Sequence, residues 1–63
     1  MNRHDLMKKI LMRYDMGYTE TLHDAIDELQ HMINLSEKTN LTFKQCEELF
    51  LSFCSSVGRQ DVS

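Results

Sequence analysis

The apolar residues between positions 22 and 35 constrain the fold of this chain more than any other feature. They recur at the spacing i, i+3, i+4, i+7, i+10, i+11, and they are Leu22, Ala25, Ile26, Leu29, Met32 and Ile33. On an α-helix this spacing places all six on one stripe, whereas a strand would scatter them over both faces. The other side of the helix is polar, with His23, Asp24, Asp27, Glu28, His31 and Asn34. The stretch therefore predicts a central amphipathic helix with one helix packed on each side.

Similar apolar stripes precede and follow the central one. We expect three helices, over residues 3–15, 20–38 and 43–57. The connections between them are only a few residues long, and short loops make sequential helices antiparallel neighbours. The predicted fold class is therefore all-α, as a small three-helix bundle or an open three-helix array.

Residues at the helix ends support this division. The expected N-caps are Asn2, either Thr19 or Thr21, and Thr42, because short polar side chains accept hydrogen bonds from the first turn. Gln45 follows Thr42 at the spacing of a capping box. The expected left-handed helix stops are Gly17, Asn40 and Gly58.

The chain is short enough to form only one domain. We assign residues 1–58 to a single three-helix domain and residues 59–63 to a frayed C-terminal tail. A chain of 63 residues buries only about 60% of its unfolded surface, so its core is marginal. Such small folds are commonly supported by a disulfide, a metal or an oligomer.

The two cysteines do not provide a disulfide. Cys46 and Cys54 lie eight residues apart on one predicted helix, which is about 12 Å along its axis and too far for a bond. Both fall on the apolar face, where a thiol is an inert core residue. Reduced cysteines predict a cytoplasmic protein, and no apolar run approaches the length of a membrane span.

The histidines of the central helix do not predict a metal site. His23, Asp27 and His31 recur every four residues, but the two histidines would lie about 12 Å apart along the axis. We therefore interpret them as part of a solvated polar face and expect no metal and no cofactor. The sequence contains no catalytic triad order, Gly-rich phosphate loop or Cys-x-x-Cys motif, so we expect no enzymatic activity.

Residues 35–53, LSEKTNLTFKQCEELFLSF, have a helix–turn–helix pattern with Asn40 in the turn. This stretch, under a third of the chain, resembles the N-terminal helical hairpin of HU-type proteins. In that family the hairpin serves dimerisation and a β-arm binds DNA. No β-arm is expected within these residues, and no functional residue is transferred from the resemblance.

A DNA-binding helix–turn–helix regulator is the alternative function. Its phosphate contacts would be Arg3, Lys8, Lys9, Arg13 and Lys44. A recognition helix that begins after Thr42 would, however, also present Glu47 and Glu48 to the phosphates. These carboxylates oppose an affinity that depends on Lys and Arg, so binding to nucleic acid is not the favoured prediction.

Two surface features point instead to a protein partner. Met12, Leu35 and Leu51 each fall outside the apolar arc of their helix. They are either ordinary exposed residues or part of a second apolar surface, as a chain with five methionines would suit. Met16 and Tyr18 cluster after the first helix.

Charge is the second of these features. Residues 1–16 carry four basic and two acidic residues, whereas residues 17–35 carry four acidic residues and neither Lys nor Arg. The polarity reflects either attraction between neighbouring helices or an acidic face for a basic partner.

These observations predict a small non-enzymatic protein-binding regulator or inhibitor, of the kind common in bacteria and phages. It would act through helix surfaces, as a homodimer. The predicted partner-binding residues are Met12, Met16, Tyr18, Leu35, Leu51, Asp24, Asp27 and Glu28.

Overall fold

Three α-helices account for the secondary structure of residues 2–59, which are the residues described by a computed structural model. They are α1 (Arg3–Asp15), α2 (Leu22–Glu37) and α3 (Phe43–Ser56). The described part of the chain contains no strand. The predicted all-α three-helix fold is confirmed. Compared with the predicted ranges, α2 begins two residues later and ends one residue earlier, and α3 ends one residue earlier.

The first two helices begin at short polar caps. Asn2 Oδ1 accepts a hydrogen bond from the backbone N–H of Asp5 at 2.8 Å. Thr21 Oγ1 accepts one from the backbone N–H of Asp24 at 3.1 Å. Of the two threonines that could have capped α2, Thr21 therefore does so, and the side chain of Thr19 is buried instead.

Helix α3 begins with the predicted capping box. Gln45 N–H donates to Thr42 Oγ1 at 3.1 Å, and Thr42 N–H donates to Gln45 Oε1 at 2.8 Å. Each side chain thus satisfies a backbone donor that the helix itself leaves without a partner.

Helix α1 ends in a Schellman motif. Gly17 adopts a φ of 83°, its N–H donates to the Tyr14 carbonyl oxygen at 3.1 Å, and the N–H of Tyr18 donates to the Arg13 carbonyl oxygen at 2.9 Å. This is the pattern that a left-handed residue after the last turn produces. The predicted stop at Gly17 is correct.

The predicted stop of α2 at Asn40 is wrong. The left-handed residue is Lys38, with a φ of 56°, and the backbone N–H groups of Lys38 and Thr39 both donate to the Asn34 carbonyl oxygen. Asn34 Oδ1 also accepts the N–H of Leu41 at 2.8 Å. These bonds turn the chain out of the helix before Asn40.

The core lies where the three helices meet, and each helix packs against both others. The radius of gyration is 10.6 Å, and a compact domain of this length is expected to have about 11 Å. The helices therefore form a bundle rather than an open array. The buried apolar side chains are Leu6, Ile10, Leu11, Ala25, Ile26, Leu29, Ile33, Cys46, Phe50, Phe53 and Cys54.

Leu51 in α3 and Val57 just after it differ from what the apolar pattern of the sequence predicts. Leu51, expected outside the buried arc, is half-buried and packs against the core, because α3 contacts two helices and its buried arc is wider than one stripe. Val57 lies on the apolar stripe but is exposed, since it is the C-cap of α3.

The start of the predicted C-terminal tail is held by the bundle. The Arg59 N–H donates to the Cys54 carbonyl oxygen at 2.7 Å, and the Arg59 guanidinium pairs with the Asp15 carboxylate. These bonds tie the first residue of the tail to α3 and to the end of α1. The other residues of the predicted tail, 60–63, lie outside the described residues.

Candidate protein-binding surface

The outer side of α1 carries two neighbouring exposed apolar side chains. Leu6, Ile10 and Leu11 take the inner side of α1 into the core, and at 3.6 residues per turn Met12 and Met16 fall on the opposite side of the helix. Met12 is 55% exposed and Met16 is 65% exposed. They are four residues apart, which makes them neighbours on the helix surface.

Cationic side chains surround the two methionines. A shallow groove of 440 Å³ is lined by Met12 and Met16 together with Asp5, Lys8, Lys9 and Arg13. We refer to Lys8, Lys9, Met12, Arg13 and Met16 as the α1 surface. Its apolar centre and charged edge correspond to the usual arrangement of a protein interface.

A second groove, of 320 Å³, runs between α1 and α3. It is lined by Met12 and Lys8 on one side and by Phe53 and Val57 on the other. At its end the His4 ring meets the Phe53 ring edge-on, with ring centroids 5.1 Å apart. Met12 therefore forms a ridge between two grooves and is exposed to both.

Arg13 is held in place by its neighbours. Its Nε lies 2.6 Å from Glu28 Oε1 as an ion pair, although the Nε–H is not aligned for a hydrogen bond; Nη2 donates a 3.5 Å hydrogen bond to Oε2. The guanidinium also lies 5.3 Å from the centroid of the Tyr18 ring. Glu28 thus compensates the Arg13 charge, and Lys8 and Lys9 are the exposed cations of the surface.

A second ion pair joins the other ends of α1 and α2. Arg3 Nε and Nη2 donate to the two carboxylate oxygens of Glu37 at 2.8 and 2.9 Å. The Arg3 hydrogen bond holds the pKa of the Glu37 carboxyl below its ordinary value, and the same bond raises the pKa of Arg3. The two ion pairs join opposite ends of the antiparallel helices α1 and α2. The basic residues of α1 and the acidic residues of α2 are therefore attracted to each other within the fold.

The predicted acidic residues have different surroundings. Glu28 is paired with Arg13, whereas Asp24 and Asp27 are exposed. A polar groove of 480 Å³ is lined by Asp27, Glu28, Gln30, His31 and Asn34. His23 turns away from this groove and stacks on Phe43, with ring centroids 4.6 Å apart.

No group of three or more His, Cys, Asp or Glu side chains within residues 2–59 is arranged to hold a metal ion. The thiols of Cys46 and Cys54 are buried, and burial raises the pKa of the Cys46 thiol. A neutral, enclosed thiol is a poor nucleophile. No helix among the described residues is both long and apolar enough to cross a membrane.

The predicted partner-binding residues do not form one patch. Met12 and Met16 line the same groove, and Tyr18 stands beside Arg13. Leu35 is 73% exposed but lies at the far end of α2, two residues from Glu37, which binds Arg3. Along α1, Arg3 is about 14 Å from Met12.

Residues of α3 and two lysines of α1 belong to this surface although they were not predicted as partner-binding residues. Phe53 and Val57 line the second groove beside Met12. Their place there could be predicted only from the packing of α3 on α1, which the sequence pattern does not give. Lys8 and Lys9 were considered only as phosphate contacts. Lys8, Met12 and Met16 recur every four residues, and that spacing could have indicated one surface.

Comparisons with known proteins found no matching family model, no similar curated protein and no similar solved structure.

Proposed function

We propose that this chain is a small, non-enzymatic protein-binding regulator or inhibitor that acts through the α1 surface. The observation that carries the proposal is the exposure of Met12 and Met16 at the centre of a cationic groove. A small domain gains stability by burying its large apolar side chains. Two of them, side by side on the outside of a well-capped helix, favour a binding role.

The chemistry of the residues suits contact with a protein. Methionine side chains are unbranched and polarizable, and they adapt to partners of different shape. Arg13 is fixed by Glu28 and Tyr18, so part of the surface is ordered before a partner arrives. Preordered groups lower the entropy cost of association.

Contacts of the basic residues weigh against the DNA-binding alternative. Two of its five phosphate contacts, Arg3 and Arg13, are engaged by Glu37 and Glu28. Phosphate binding would have to break these pairs, which adds a cost to an affinity that rests on Lys and Arg. A salt-dependent shift of random duplex DNA by this protein would favour the alternative.

We further propose that the chain is a homodimer and that the dimer contact includes Leu35. Leu35 lies near the opposite end of the bundle from Met16, so self-association there would leave the α1 surface open. Its neighbours on the surface of α2, His31 and Lys38, carry no negative charge. A two-fold contact centred on Leu35 would bring the same apolar side chain of both copies together, with the Lys38 ammonium groups at its solvated edge.

The test of the proposed function is crosslinking in the native cells followed by purification of the tagged chain. We expect one stoichiometric protein partner with the wild type and with Leu35→Glu, and its loss with Met12→Glu. Far-UV circular dichroism must show that both variants are folded. Recovery of nucleic acid instead of protein, or a partner that Met12→Glu retains, would contradict the proposal.

A further inference from the structure

We infer that the partner presents an acidic amphipathic helix, which lies along α1 with its apolar stripe on Met12 and Met16. This inference rests on the proposed function and adds the chemistry of the partner. It follows from three properties of the α1 surface: its shape, its charge and the mismatch of that charge with a second copy of the chain.

The shape suits a helix. Lys8, Met12 and Met16 follow one line on α1 over about 12 Å, which is a little more than two helical turns. Grooves of 440 and 320 Å³ flank the Met12 ridge. Apolar side chains at i, i+3 or i+4, and i+7 of a partner helix can pack along this ridge, in the open depressions on either side of it.

The charge selects an acidic partner. The first groove is lined by two exposed cations, Lys8 and Lys9, against Asp5, because Glu28 compensates the charge of Arg13. This local excess of positive charge contrasts with the net charge of −3 of the whole chain. Lys8 and Lys9 are exposed, and their ammonium groups can meet carboxylates on both edges of an approaching helix. Such complementarity raises the association rate and fixes the orientation of the partner.

A second copy of the chain fits this surface less well. In a two-fold contact the same patch faces itself, so Lys8 and Lys9 of one copy would approach a surface that is itself positive. Nucleic acid also fits less well, because Met12 and Met16 would face phosphates and gain nothing from the contact. The observations therefore favour a helix that is apolar on one side and acidic at its edges.

The experiment is a selection from a displayed library of helical peptides of about five turns, with their outward positions randomised. The wild-type chain is the bait, and Met12→Glu is the counter-bait. We expect enriched peptides to carry apolar residues at i, i+4 and i+7 with Asp or Glu beside them. A synthetic copy of the best peptide should bind Met12→Glu at least about tenfold more weakly than the wild type.

Two controls identify the chemistry of the contact. The variant Lys8→Glu/Lys9→Glu should lose the acidic peptide, and a peptide with Lys in place of its acidic residues should bind this variant instead. Leu35→Glu should bind the original peptide as the wild type does. Circular dichroism confirms that each variant retains its helices.

The outcomes separate the inference from the proposed function. Peptides that depend on Met12 but are neutral or basic would overturn the acidic helix and leave α1 as a binding surface. If no enriched peptide depends on Met12, the proposed α1 surface itself is wrong. If the folded Lys8→Glu/Lys9→Glu variant still binds the acidic peptide and does not bind the Lys-substituted peptide, Lys8 and Lys9 do not select the partner.

Discussion

The Asn34 side chain holds both backbone groups of Leu41. Asn34 Oδ1 accepts the Leu41 N–H at 2.8 Å, and Asn34 Nδ2 donates to the Leu41 carbonyl oxygen at 3.1 Å. Gln30 Nε2 donates to the same carbonyl oxygen at 3.0 Å, and Thr39 Oγ1 donates to Asn34 Oδ1 at 2.9 Å. The loop between α2 and α3 is therefore fixed by α2 itself.

Replacement of Asn34 should destabilise the bundle. Each hydrogen bond of this kind contributes about 1 kcal/mol, so Asn34→Ala should lower the free energy of unfolding by about 2–3 kcal/mol. Asn34→Asp keeps the acceptor for Leu41 N–H, but it places a carboxylate oxygen against the Leu41 carbonyl oxygen near the C-terminus of α2, so it should also be destabilising. The exposed Asn40→Ala is the matched control, with an effect within about 0.5 kcal/mol. Urea denaturation measures all three, and equal stabilities for Asn34→Ala and Asn40→Ala would contradict the role of Asn34.

Lys38 offers a stabilising substitution. Its left-handed backbone, with a φ of 56°, costs about 1–2 kcal/mol in a residue with a Cβ atom. Lys38→Gly removes this strain and should raise the free energy of unfolding by about 1 kcal/mol, after the extra backbone entropy of glycine is counted. Lys8→Gly, in the regular part of α1, should lower it by about the same amount. A thermal melt in which both variants are destabilised would show that Lys38 is not strained.

These two residues show where sequence reasoning reached its limit. Apolar spacing predicted the helices because the apolar residues recur in the sequence with the 3.6-residue period of an α-helix. The capping residues Asn2 and Thr42 were also visible, since a cap bonds only to residues three positions away. Asn34, by contrast, bonds to Leu41 in a loop seven residues away. In the sequence it looks like any other polar residue on a helix surface. The left-handed residue is therefore Lys38 and not the predicted Asn40, whereas the end of α2 itself was predicted to within one residue.

The candidate site was predictable only in part. The exposure of Met12 and Leu35 follows from one helix alone, because each lies outside its own apolar arc. The half-burial of Leu51 depends on the angle at which α3 meets its neighbours. The compensation of Glu28 by Arg13 depends on the register between α1 and α2. Both are properties of packing and not of any single stripe.

The core of α3 depends on Phe50. Its side chain is fully buried between the helices, and removing such a ring costs about 3–5 kcal/mol. That is a large part of the total of about 3–9 kcal/mol expected for a domain of this length. Phe50→Ala should therefore be partly unfolded at room temperature, as judged by circular dichroism. Lys44→Ala, at an exposed position of α3, is the control, and a Phe50→Ala melt within a few degrees of that control would contradict this packing.

The Arg3–Glu37 pair should make stability depend on pH. Because the hydrogen bond from Arg3 lowers the pKa of the Glu37 carboxyl in the folded chain, the pair stabilises the fold above the ordinary carboxyl pKa. This stabilisation is lost as the pH falls through the lowered folded-state pKa. Urea denaturation from neutral pH to acid should show wild type and Glu37→Gln converging as the pH falls. Glu20→Gln, in the loop before α2, is the control, and a gap for Glu37→Gln that is constant with pH would contradict the pair.

Self-association through Leu35 is tested by mass and by melting. If Leu35 contributes to a two-fold contact, a wild-type dimer should form at concentrations on the order of tens of micromolar, and its melting temperature should rise with protein concentration. Leu35→Glu places a carboxylate at the contact of both copies, so it should give a monomer with a lower, concentration-independent melting temperature. Met12→Glu should remain a dimer, because the α1 surface lies at the other end of the bundle. Sedimentation equilibrium decides between these outcomes. A single-chain mass for the wild type at every concentration would exclude the dimer. A dimer that Met12→Glu disrupts and Leu35→Glu preserves would instead place the contact on α1.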